Sequence, residues 1–137
     1  MNDLELNFSE IINMIETRRQ NAYKKVNEEL ISLYWDFGKY ISEKVNDSNW
    51  GDKIVDKLVE FMKREYPTMR GFTRRGIYRM KQFYETYKDN EFVSTLLTQI
   101  SWSNNVKILS STKSIEEKEF YIKMCIKYNY TARELDR

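Results

Sequence analysis

Seven basic side chains crowd residues 63 to 81: Lys63, Arg64, Arg70, Arg74, Arg75, Arg79 and Lys81, against the single acid Glu65. A guanidinium keeps its charge at any physiological pH and grips phosphate oxygens through paired N–H donors, so this density points to holding a polyanion. The charge is local, because residues 1–60 net −4, residues 61–90 net +5 and residues 91–137 net +1. Against a whole-chain charge of only +2, position rather than sum is the signal.

Chemistry beyond binding has little material. The chain contains no His and a single Cys, so neither a zinc site nor a Cys-His or Ser-His nucleophile can be assembled. Carboxylates are plentiful, but a magnesium site needs a motif. Asp36-Phe37-Gly38 copies the magnesium-binding tripeptide of kinases inside a helical pattern with no Gly-rich loop before it. Glu116-Glu117-Lys118 copies the tail of a nuclease motif without the preceding Asp-bearing strand, and a helix cap accounts for both glutamates. Ten Tyr invite thoughts of base stacking, yet most fall on core stripes. No catalytic residue, metal or cofactor is expected of this chain.

The elements that must position the basic stretch are helices. With four Gly and one Pro in 137 residues, the chain lacks the punctuation that hairpins need. It predicts one all-α domain over residues 1–137, with five to seven helices, a long first helix and a central helix-turn-helix unit of winged-helix type. Asn7 or Ser9 is placed to cap the first helix, whose apolar residues Ile11, Ile12 and Ile15 lead into Tyr23, Val26, Leu30, Leu33, Phe37 and Tyr40 at 3-4 spacing. That stripe suits either an internal core, the preferred reading, or a coiled-coil seam between two copies. Gly38 within it suits close helix contact.

Asn46, Asp47, Ser48, Asn49 and Gly51 then make a turn, and a second helix over residues 52–66 stops at Pro67. Thr73 caps a third helix with an inward stripe of Ile77, Met80, Tyr84 and Tyr87, and Phe72 staples its start. A short helix follows over 91–100, then one capped by Ser101 or Ser103, then one opened by the box Ser114-Ile115-Glu116-Glu117. A second box, Thr131-Ala132-Arg133-Glu134, opens a helix that the sequence does not complete, so a longer protein is expected. No early apolar run resembles a leader or membrane span, which makes the cytoplasm the expected compartment.

Helix, turn with Gly71, then a helix led by arginines is the order of a helix-turn-helix, whose second helix enters the major groove of duplex DNA. Arg75, Arg79 and Gln82 fall on a face away from the apolar stripe, Arg74 and Tyr78 lie at its margin, and Thr73 can share in a phosphate contact at the helix start. With Lys63 and Arg70 these are the expected DNA-binding residues. The competing interpretations are a solvated basic face that binds nothing, and a protein interaction or dimerisation module built on the first helix.

These residues lie in a pattern that resembles the N-terminal domain of the YhcG family. The shared blocks are Val26-Asn27-Glu28-Glu29-Leu30 with Leu33-Tyr34-Trp35, Gly38 and Ile41, Trp50-Gly51, Gly71-Phe72-Thr73, and Met80 with Phe83-Tyr84. Gln99-Ile100-Ser101-Trp102-Ser103, Glu119-Phe120-Tyr121 and Tyr130-Thr131-Ala132-Arg133-Glu134-Leu135 complete the order. Family members join this helical domain to a C-terminal nuclease domain of the PD-(D/E)XK type, so the resemblance implies a module that delivers a magnesium-dependent nuclease to DNA. The chain departs from the family at Asn104, where His is frequent, and at Gly76, where Asn is frequent.

Overall fold

The computed structural model describes residues 2–47 and 50–136. Ser48 and Asn49, two of the five residues named for the expected turn after the first helix, lie outside the described residues. Seven α-helices form among those described, with no strand. They are α1 (Asp3–Asp47), α2 (Asp52–Glu65), α3 (Arg74–Tyr87), α4 (Glu91–Ser94), α5 (Trp102–Ser111), α6 (Ile115–Tyr128) and α7 (Ala132–Leu135), with a 3-10 turn at Leu97–Gln99 between α4 and α5. With no strand to make a wing, the winged-helix expectation reduces to its helices.

Helix α1 starts earlier than Asn7 or Ser9. The Asn2 side chain accepts the Glu5 N–H at 2.8 Å and supplies the cap. The chain then runs 45 residues in one helix, because no Pro interrupts it and its single glycine lies against another helix. That glycine is Gly38, where an added Cβ would sit 2.1 Å from the Met80 carbonyl oxygen. Backbones of α1 and α3 therefore touch, as the sequence suggested.

The buried face of α1 corrects the sequence reading. Ile31, Tyr34, Gly38, Ile41 and Ser42 are buried, whereas Leu33, Tyr40, Tyr23 and Val26 of the expected stripe are exposed and Leu30 and Phe37 half-buried. The core face is rotated by one residue, about 100° around the helix. Leu33 is 38% exposed, so Leu33→Ala should cost about 1 kcal/mol or less rather than the several expected of a core truncation. Urea unfolding of the variant checks this.

Helix α3 lies along α1 and presses Ile77, Met80, Phe83 and Tyr87 into the core. Phe83 replaces the expected Tyr84, which is half-buried with its ring edge-on to Trp35 at 5.1 Å. Phe83 also meets Trp102 at 5.0 Å, and Trp102 meets Tyr34 at 4.7 Å, which joins α1, α3 and α5 through aromatic contacts. The Asn27 amide donates to the Thr98 and Ile100 carbonyls at 3.1 and 2.9 Å and ties α1 to the 3-10 turn.

Local caps close the C-terminal half. Ser101 accepts the Asn104 N–H, and Thr131 and Glu134 form a complete capping box. Ser114 caps α6, but Glu117 accepts from the Lys113 N–H rather than reciprocating at Ser114. Helix α6 ends at Asn129 in the left-handed region, φ 53°, a conformation that Asn tolerates. The buried Lys118 donates its ammonium to the Thr112 carbonyl and hydroxyl, both at 2.9 Å, where α5 ends and a cation meets the negative end of the helix.

Candidate nucleic-acid interface

The loop between α2 and α3 fixes where the basic ridge begins. Helix α2 stops two residues before Pro67, and the connection over residues 66–73 turns first through a bond from the Met69 N–H to the Tyr66 carbonyl at 3.0 Å. Gly71 then takes φ +91°, a region that a side chain disfavours. An added Cβ at Gly76 would lie 1.9 Å from the Gly71 carbonyl oxygen, so the first turn of α3 rests directly on this loop. Thr73 caps that turn by accepting the Gly76 N–H at 3.0 Å. At eight residues, 66 to 73, the connection is longer than the 3–4 residues usual in a helix-turn-helix. Helix α3 also leans chiefly on α1 rather than α2.

The outward face of α3 divides into two strips. On one, Arg74 reaches Asp52 at 2.9 Å and Asp56 at 3.7 Å, and the Tyr78 hydroxyl donates to Asp52 at 2.6 Å. The Tyr78 and Arg74 hydrogen bonds hold the Asp52 carboxyl below the usual carboxylate range. The same bonds to Asp52 push Arg74 and Tyr78 above their ordinary values. On this strip Lys81 also pairs with Glu85 at 3.0 Å, and Glu85 accepts the Ser42 hydroxyl at 2.7 Å.

The second strip carries Arg75, Arg79 and Gln82. Arg75 and Gln82 are exposed and Arg79 is half-buried. Among the described residues neither arginine makes an ion pair, and the same holds for the exposed Arg70 in the loop. Lys63, at the end of α2, has only a long exposed contact of 3.7 Å with Glu60, which is worth little in water.

Of the eight residues singled out by sequence, the fold thus brings Arg75, Arg79 and Gln82 together as an unmatched face. It diverts Arg74 and Tyr78 to intramolecular partners and assigns the Thr73 oxygen to a cap. Asp52 and Asp56, which decide which cations stay free, were not anticipated. They stand 22 and 18 residues before Arg74, beyond the reach of any helical periodicity.

The other concavities are small. One notch of about 270 Å³ between α1, α3 and the 3-10 turn is lined by Ile31, Trp35, Phe83 and Leu97, and holds one acid, Asp36. No group of three or more metal-ligating side chains gathers among the described residues. None of the described helices is long and apolar enough to cross a membrane.

A family model for the DUF1016 N-terminal domain matches residues 10–137. Neither the curated proteins nor the solved structures contain a match to this chain.

Proposed function

The chain belongs to the DUF1016 N-terminal domain family, and we propose that this domain holds duplex DNA by its phosphates through Arg75 and Arg79, with Gln82 beside them and Arg70 and Lys63 flanking. The observation that carries the reading is the pairing pattern on α3: Arg74 and Lys81 are matched to carboxylates, whereas Arg75 and Arg79 share an outward strip and pair with none among the described residues. An unmatched arginine pays no cost of breaking an internal pair before it binds phosphate, and it releases the counterions that drive association. The likeness to the N-terminal domain of the YhcG family supports the same reading. There the module would set a C-terminal nuclease domain on DNA, and the chemistry would belong to that domain rather than to this one.

Fluorescence anisotropy against random duplex DNA at several salt concentrations tests the proposal. Arg75→Ala/Arg79→Ala should weaken binding and flatten the slope of log affinity against log salt by about two, as the loss of two phosphate contacts requires. Lys123→Ala/Lys127→Ala, an equal charge change on the exposed face of α6, should leave the slope alone. Asp52→Asn/Asp56→Asn should release Arg74 and steepen the slope by about one. If the folded arginine variant, checked by circular dichroism, binds as tightly as the parent at every salt concentration, the reading fails.

A further inference from the structure

The first half of α1 makes no use of its apolar side chains. Every residue from 2 to 26 is exposed, including Leu4 at 59%, Phe8 at 55%, Ile11 at 51%, Ile12 at 57%, Ile15 at 47% and Val26 at 66%. At about 100° per residue, these six project within one side of the helix, which runs some 36 Å at about 1.5 Å per residue. Ala22 continues the stripe on the same side. A helix of this length draws most of its stability from packing such a stripe, and among the described residues nothing covers this one. The stripe is also set off by about a third of a turn from the face that α1 buries in the core, so a second element can cover it without disturbing the domain.

Charge selects the occupant. Residues 3–16 hold four acids, Asp3, Glu5, Glu10 and Glu16, and no base, whereas residues 17–25 hold four bases, Arg18, Arg19, Lys24 and Lys25, and no acid. Within the helix they touch oppositely charged neighbours only loosely: Arg19 lies 3.9 Å from Glu16, and Lys25 4.0 and 3.8 Å from Glu28 and Glu29, all well exposed. By the same helical spacing Arg19 lies within the stripe, Glu5, Glu16, Arg18 and Lys25 flank it, and Asp3, Glu10 and Lys24 face away. Two copies laid side by side in parallel would therefore set Glu5 and Glu16 against their like and Arg18, Arg19 and Lys25 against theirs. Laid antiparallel, each acidic segment faces the other copy's basic one.

We infer that the segment from Asp3 to Val26 is an antiparallel two-helix seam between two copies of this chain, closing Leu4, Phe8, Ile11, Ile12, Ile15 and Val26 away from water. In an antiparallel pair of this overlap the two globular bodies lie at opposite ends, each carrying its own α3 ridge. The seam is separate from the DNA-binding reading and stands or falls without it.

Sedimentation velocity of the whole chain at rising concentration is the test. The expected species has twice the 16.7 kDa mass of the chain, and Ile15→Glu, at the middle of the stripe, should shift it to the single mass. Because none of residues 2–26 is buried, that variant should keep the cooperative unfolding of the body, so a lost dimer cannot be blamed on misfolding. Salt separates the two orientations: screening should weaken an antiparallel pair held by opposite charges, and strengthen a parallel one held against like charges. A chain that stays single at all concentrations overturns the inference, including a single chain that binds vesicles or another protein through this stripe. Association that survives Ile15→Glu, or that tightens with salt, overturns it as well.

Discussion

Phe83→Ala should destabilise the domain by about 3–5 kcal/mol, the range for removing a fully buried aromatic ring. Phe83 is 0% exposed, and its ring meets Trp35, Tyr87 and Trp102 edge-on at 5.8, 5.7 and 5.0 Å. These partners come from α1, α3 itself and α5, so the ring is where three elements share one contact. Truncation would lose the ring's transfer energy and leave a void that three large aromatics cannot easily collapse into. The neighbouring Tyr84→Ala, at a half-buried position, should cost clearly less. Urea unfolding followed by tryptophan fluorescence reads both, since Trp35 and Trp102 report on the same cluster. Equal costs for the two variants would show that the buried stripe of α3 had been misplaced.

That ranking was not available from the sequence, and the reason is physical. Wherever the signal is local, the residues were sufficient: Pro67 ends α2 because it cannot donate, Thr73 caps α3 because its oxygen reaches the Gly76 N–H, and Thr131 with Glu134 closes a box within four residues. Faces are another matter. From Leu30 to Val45, α1 offers apolar residues at Leu30, Ile31, Leu33, Tyr34, Trp35, Phe37, Tyr40, Ile41 and Val45, which cover more than half its circumference. A 3-4 spacing can be drawn through two different sets, and only the docking of α3 at Gly38 chooses Ile31, Tyr34 and Ile41. The set that was passed over runs on into the exposed stripe of the first half. An expectation of an internal core thus located a real stripe, of which Leu30 and Phe37 pack at the edge of the core while Leu33, Tyr40, Tyr23 and Val26 face outward.

The candidate site divides the same way. Arg75, Arg79 and Gln82 share a face because helical spacing alone puts them there, so that part was legible. The loss of Arg74 and Tyr78 to Asp52 depends on α2 folding back beside α3 across an eight-residue loop, and no window of local sequence contains both ends of that contact. Charge density identified the region, while pairing decided which charges within it remain free.

Gly38→Ala should lower stability by about 3 kcal/mol, at the upper end of the overpacking range, even though the change favours the helix itself. Ala is a better helix former than Gly by about 1 kcal/mol, and Gly38 sits inside α1 with no need for a left-handed conformation. Propensity alone therefore predicts a gain. Packing predicts the reverse, because the new Cβ would lie 2.1 Å from the Met80 carbonyl oxygen and 2.8 Å from its carbon. Those are backbone atoms of α3, which no rotamer change can move aside. The helices must separate along a contact that includes Ile77, Met80 and Phe83, so several core residues loosen for one added methyl. Packing outweighs propensity here, and the net sign is destabilising. Gly51→Ala is the matched control, since an added Cβ there meets nothing within 4 Å, and it should change stability by about 1 kcal/mol or less. A Gly38→Ala protein that melts at or above the parent's temperature would mean that α1 and α3 do not meet at Gly38, and that the Arg75 and Arg79 strip faces another way.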